Sequence, residues 1–153
     1  MAGDLAPTPS TKSATPPVAS VSVERSTIAG NEGEETGGLR VGGLRPGSSI
    51  EVVDSTISGN RATAPTSAGG GVGFGDYIAG DAGVVNSTIS GNEAAYGGGI
   101  SVGTPYATPP ASPSDAYGAP SVENSTIANN TATTAGGGIY LGGYNTDPGT
   151  PYS

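Results

Sequence analysis

An all-β fold, a right-handed parallel β-helix of about four coils, is what this sequence predicts, and three observations carry the prediction. One phrase recurs four times, as RSTIAGN (25–31), DSTISGN (54–60), NSTISGN (86–92) and NSTIANN (124–130). Each copy is followed by a glycine run and an aliphatic residue: GGL (37–39), GGGV (69–72), GGGI (97–100) and GGGI (136–139). A valine stands three residues before each serine, at Val23, Val52, Val84 and Val122. The serines, Ser26, Ser55, Ser87 and Ser125, lie 29, 32 and 38 residues apart, so each repeat is one unit of a solenoid.

Strand geometry assigns the faces. Side chains alternate along a strand, so Ser26 and Ile28 share a face and Thr27 takes the other. The serines and Ile28, Ile57, Ile89 and Ile127 are expected inside, and Thr27, Thr56, Thr88 and Thr126 outside. The step from valine to serine is odd, so a corner must lie between them, at Glu24-Arg25, Val53-Asp54, Val85-Asn86 and Glu123-Asn124. The closing asparagines, Asn31, Asn60, Asn92 and Asn130, suit a left-handed turn. Stacked at about 4.8 Å, their amides can also bond to one another along the axis. The glycine runs permit a tight turn before Leu39, Val72, Ile100 and Ile139 point inward. The outward neighbours of those aliphatics are Arg40, Gly73, Ser101 and Tyr140.

The flanks read differently. Residues 1–20 are rich in Pro, Thr, Ser and Ala and read as a disordered linker. The β-helix is assigned to residues 21–143, and residues 144–153 to a tail or a truncated further coil. The insert TPYATPPASPSDAYGAP (104–120) is Pro-rich, expected extended, and accounts for the widest spacing. With no cap in sight at either end, the coils are expected to continue in a longer protein or to stack end to end.

Composition supports a thin core. Gly (28) and Pro (13) exceed a quarter of 153 residues, with one Phe and no Trp, so a core one or two side chains wide is what the chain can fill. A disordered, low-complexity chain has the same composition, and only the fixed offsets argue against it. The net charge of -8 leaves no basic stripe for nucleic acid. No apolar run is long enough for membrane insertion by this segment. With no Cys and no His, thiol chemistry and Cys/His metal sites are not expected, and no cofactor is implied. A calcium-binding nonapeptide reading fails because Gly70-Gly71-Val72-Gly73-Phe74-Gly75-Asp76 places its Asp one residue late and occurs once.

The pairing of I-x-x-N with G-G-[AIL] resembles the repeats of polymorphic outer-membrane proteins. The fuller N-S-T-I-S-G-N…G-G-G-I resembles pectate-lyase-like β-helix repeats of large bacterial surface proteins, over residues 21–143. Isoleucine stands where the former family has Phe. The resemblance implies an exported, cell-surface protein, an adhesin or passenger segment, with a polysaccharide or a host or cell-surface protein as partner. Its enzymatic members imply the alternative, a carbohydrate-active lyase or hydrolase fragment lacking its catalytic residues here. Such chemistry needs paired carboxylates or a carboxylate with a base, and the outward column Arg40, Gly73, Ser101 and Tyr140 offers one Arg and no carboxylate. No catalytic constellation is found.

Two further features stand out. The loops after the glycine-run strand carry Asp76, Tyr77 and Asp81, then Tyr106, Asp115 and Tyr117, then Tyr144, and coil stacking would place them on one side. Tyrosine faces stack on sugar rings and carboxylates accept hydroxyl protons, so these are the candidate ligand-contacting residues; ordinary loop variation is the competing explanation. Asn86, Asn124 and Asn129 open N-x-S/T sequons, which a corner preference for Asn explains equally.

Overall fold

The structure, a computed structural model, describes residues 18–103 and 120–142. They form four coils of four strands each. Coil one comprises β1 (Ser20–Glu24), β2 (Thr27–Ala29), β3 (Glu32–Gly33) and β4 (Leu39–Leu44). Coil two comprises β5 (Ser49–Val53), β6 (Thr56–Ser58), β7 (Arg61–Ala62) and β8 (Val72–Ile78). Coil three comprises β9 (Asp81–Val85), β10 (Thr88–Ser90), β11 (Glu93–Tyr96) and β12 (Ile100–Val102). Coil four comprises β13 (Ser121–Glu123), β14 (Thr126–Ala128), β15 (Thr131–Ala135) and β16 (Ile139–Leu141). Corresponding strands stack in parallel into four sheets, which is a parallel β-helix. Parallel crossovers are right-handed in nearly all proteins, the hand expected from the sequence. The register aligns the repeats: Val23, Val52, Val84 and Val122 form one column, and Ile28, Ile57, Ile89 and Ile127 another.

The core follows the expected alternation. Val52, Val84, Ile57, Ile89, Val72 and Ile100 are buried, and the single Phe, Phe74, packs among them. In coils one and four the equivalent Val23, Ile28 and Ile127 are only partly covered, since each has a neighbouring coil on one side. Burying one such aliphatic is worth about 1.5–3 kcal/mol, so the middle coils carry most of the hydrophobic stabilisation.

Each corner has its own device. The turn from the first sheet to the second puts Arg25, Asp54, Asn86 and Asn124 in the left-handed region, at φ 44–49°. The serine that follows closes the turn. Ser55 Oγ donates to the Val53 carbonyl at 2.7 Å and accepts from the Ser26 N–H at 3.1 Å. Ser87 and Ser125 repeat the pattern, accepting from the Ser55 and Ser87 N–H groups at 3.0 Å. The inward serine therefore serves its hydroxyl as much as its size.

The second turn carries the asparagine ladder. Asn31, Asn60 and Asn92 each donate from Nδ2 to the Oδ1 of the next coil's Asn, at 3.0, 2.9 and 2.9 Å. Each backbone N–H of the same three residues donates to that same oxygen. The second amide hydrogen of Asn60, Asn92 and Asn130 reaches back to the carbonyls of Ile28, Ile57 and Ile89. One expectation is corrected here: the ladder asparagines are not left-handed. The positive φ falls one residue earlier, at Gly30, Gly59, Gly91 and Asn129. That residue makes the reversal so that the amide can point inward and meet all its partners.

The third turn uses the glycine run. A Cβ on Gly71 would lie 2.7 Å from the Gly99 carbonyl oxygen and 2.9 Å from Ile89, so close stacking of backbone on backbone excludes any side chain there. The fourth turn varies in length. It is Arg45–Ser48 in coil one and only Ala79–Gly80 in coil two.

Boundaries and one face also shift. Ser20 already belongs to β1, one residue before the expected start of the β-helix at residue 21. Residues 1–17, 104–119 and 143–153 lie outside the described residues. The third sheet (β3, β7, β11, β15) is an element the repeat phrase did not reveal. The column Arg40, Gly73, Ser101, Tyr140 is in register as expected, yet Ser101 is only 1% exposed. Gly73 is buried too, because Thr36 and Ala68 fold over it.

Candidate functional site

The second sheet (β2, β6, β10, β14) presents the most regular outer surface. Thr27, Thr56, Thr88 and Thr126 form one column and Ala29, Ser58, Ser90 and Ala128 a second, in unbroken register. The rungs are about 4.8 Å apart along the axis, and the two columns about 6.7 Å apart across it. Each rung lies within a stretch free of charge, Ser26–Asn31 and its three counterparts, in a chain of net charge -8. Among the described residues the four threonine hydroxyls have no hydrogen-bond partner, so each offers a donor, an acceptor and a methyl group to whatever lies outside.

The neighbouring faces are charged or covered. On the third sheet Arg61 sits between Glu32, at 3.4 Å, and Glu93, at 3.7 Å, with all three side chains exposed. On the first, Glu24 and Arg25 approach to 3.7 Å. Tyr96 and Tyr140, from coils three and four, pack ring against ring with centroids 5.1 Å apart and planes at 55°.

A cleft of about 160 Å³ opens where the third turn meets the fourth sheet (β4, β8, β12, β16), lined by Glu35, Thr36, Arg40, Thr66, Ser67 and Ser101 among others. Glu35 and Arg40 are ion-paired beside it. Ser67 is engaged elsewhere, donating to the Ala62 carbonyl at 3.3 Å and accepting from the Ala95 N–H at 3.0 Å. Arg40 was flagged by its column; Glu35, Thr36, Thr66 and Ser67 were not, because they come from unequal turns of coils one and two that share no repeat offset. The cleft holds one carboxylate among the described residues. Glycosidic acid/base chemistry requires a second, placed across the bond to be cut. No cluster of three or more Asp or Glu side chains suited to a metal occurs among the described residues.

The tyrosine and acid residues expected in a loop rim are placed only in part. Asp76 and Tyr77 lie within β8, not in a loop, and the Tyr77 backbone pairs with Gly43 across a bulge. Asp81 opens β9, exposed, in register with Ser49. The turn between these two strands is two residues long, so coil two has no long loop on this side. Tyr106, Asp115, Tyr117 and Tyr144 lie outside the described residues. Asn86, Asn124 and Asn129 are all exposed left-handed residues, which accounts for Asn at those positions through backbone geometry.

Comparison with family models, curated proteins and solved structures finds no match to this chain.

Proposed function

We propose that the chain is a structural and interaction module of an exported, cell-surface protein, adhesin-like, whose β-helix presents a repeating face to a polysaccharide. The threonine face carries this reading. A polysaccharide is long, periodic, uncharged or weakly charged, and rich in hydroxyl groups. The second sheet is periodic and charge-free, with four hydroxyls in a row that no described residue engages. Hydroxyl and methyl together suit a sugar, which has both polar edges and apolar C–H faces. Rigidity adds to this, since strands locked by two internal ladders lose little conformational freedom on binding. The surface location rests on the resemblance of the repeats to those of exported proteins.

The experiment is depletion of the purified chain from solution by insoluble chitin, cellulose and peptidoglycan. The double variant Thr56→Lys, Thr88→Lys is measured beside it. Binding to at least one polymer, weakened at least about tenfold by the double variant, is expected. Absence of binding to all three, or equal binding by both chains, would remove the reading.

The carbohydrate-cleaving alternative has one observation in its favour, the Glu35–Arg40 pair at a cleft. The cleft holds one carboxylate, and a second would have to come from outside the described residues. Release of reducing sugar or unsaturated product from any of the polymers would favour it.

A further inference from the structure

We infer that the chain assembles head to tail with further copies of itself, the last described coil of one copy docking on the first of the next. This is independent of the polysaccharide reading. It begins with where apolar surface remains exposed. The exposed large hydrophobics among the described residues are Val18, Val21, Val122, Ile139 and Leu141. The first two lie at the start of coil one and the other three in coil four. None lies in the two middle coils.

The two ends are complementary in their hydrogen bonds. Within the stack, each Asn Oδ1 accepts from the N–H and Nδ2 of the preceding coil's Asn. At coil one, Asn31 is exposed and its Oδ1 meets no such donors among the described residues. At coil four, the Asn130 N–H and one of its amide hydrogens meet no such acceptor among the described residues. The serine ladder ends the same way. Among the described residues, the Ser125 N–H lacks the following coil's Oγ that each of the three earlier serine N–H groups meets, and Ser26 Oγ lacks an N–H donor from a preceding coil. Coil four thus ends in donors aimed along the axis, and coil one in the acceptors they need. Two copies facing each other with like ends would oppose donor to donor or acceptor to acceptor. A head-to-tail junction alone continues both ladders.

Side-chain columns agree. Continuing the register sets Val122 on Val23, Ile127 on Ile28, Ile139 on Leu39 and Leu141 on Val41. It also sets Tyr140 over Arg40, where a cation can meet a ring face. The column that continues from Glu123 to Glu24 brings two carboxylates together, and Arg25 stands 3.7 Å from Glu24 to offset them. Because the contact joins unlike surfaces without a closing rotation, it generates open-ended rods rather than a closed dimer.

Cysteine pairing tests orientation, since the chain has no Cys of its own. Thr27→Cys and Thr126→Cys are single variants at exposed ends of one column, where the junction would set their Cα atoms at about 4.8 Å, within disulfide range. Under mild oxidation, a mixture of the two is expected to form mixed disulfides at least about tenfold faster than either variant alone. Sedimentation velocity of the unmodified 153-residue chain is expected to show species that keep lengthening with concentration. Leu141→Glu, at a side chain 72% exposed and so harmless to folding, is expected to raise the required concentration at least about tenfold. A chain that stays monomeric at all concentrations, growth that stops at a dimer, or pairing within Thr27→Cys or Thr126→Cys alone as fast as in the mixture would each overturn the inference.

Discussion

Truncation of one rung of the asparagine ladder, Asn92→Ala, tests what holds the coils together. Asn92 is 1% exposed and makes four side-chain hydrogen bonds. Its Oδ1 accepts from the Asn60 N–H and Nδ2, both at 2.9 Å, and its Nδ2 donates to Ile57 O at 3.0 Å and Asn130 Oδ1 at 2.9 Å. Truncation strands two donors on Asn60, itself 1% exposed, where water has little access. At about 1–3 kcal/mol per stranded buried group, the loss lies between about 2 and 6 kcal/mol, and we expect about 4. Asn31→Ala removes one donor from an exposed position and leaves the Asn31 N–H bonded to Asn60, so its cost should stay below about 1 kcal/mol. Asn92→Asp separates donor from acceptor. It keeps acceptors for Asn60 but turns an oxygen toward the Ile57 carbonyl and Asn130 Oδ1, and should cost at least as much as the alanine. Urea unfolding followed by far-UV circular dichroism reads these differences. With m near 1–3 kcal/mol/M, the Asn92→Ala midpoint should fall by more than about 1 M with unchanged slope. An Asn92→Ala chain already unfolded in buffer meets the expectation. Equal effects of Asn92→Ala and Asn31→Ala, or an aspartate milder than the alanine, would refute the reasoning.

Three further outcomes follow from the same packing and are read by the same denaturation assay. Ile89→Ala empties a side chain that is 0% exposed and should cost about 4 kcal/mol, with Ile28→Ala, half-covered in coil one, costing about half. Gly71→Ala forces a methyl against the Gly99 carbonyl and Ile89 and should cost about 1–3 kcal/mol, whereas Gly42→Ala, with nothing within 4 Å, should change stability by less than about 0.5 kcal/mol. Asn86→Val places a β-branched residue at φ 49° and should cost about 1–2 kcal/mol, while Asn86→Gly should be close to neutral.

The parts of this fold that could be read in the sequence are those that repeat a letter at a fixed offset. Ile57 follows from strand alternation, and Val52 and Val72 from their fixed offsets to the corner and to the glycine run. The third sheet stayed hidden because its strands, EG, RA, EAAY and TATTA, share no phrase. Backbone pairing and a column of small inward residues, Gly33, Ala62, Ala94 and Ala132, hold it, and small residues leave a weak pattern. The serine hydroxyl was recoverable in principle, since size alone would have admitted Ala at one of the four positions. The left-handed residue before each ladder asparagine was also recoverable, because three of the four are Gly. The cleft was not. Glu35 and Thr66 sit in turns of different length, and only the stacking of those turns brings them together. The same holds for Tyr96 and Tyr140, which meet from different strands of successive coils.

The threonine column differs in kind from the other constant positions. Val, Ser, Ile and Asn recur because each is bonded or buried at its place, and a change there would be felt by two neighbouring coils. Thr27, Thr56, Thr88 and Thr126 face outward, and no interior partner requires them. Outward positions elsewhere vary freely: Glu32, Arg61, Glu93 and Thr131 occupy one column of the third sheet. Strand preference would favour Thr, but it would favour Val or Ile as readily, and cross-strand support is worth only about 0.2–1 kcal/mol per pair. Val is the near-isosteric alternative that keeps the branch and loses the hydroxyl. The chain never uses it in this column, though it places Val at the outward Val53 and Val85 of the first sheet. What distinguishes Thr from Val is a hydroxyl that bonds to no described residue, so what fixes it lies outside the coil: water, or the polysaccharide proposed to take water's place.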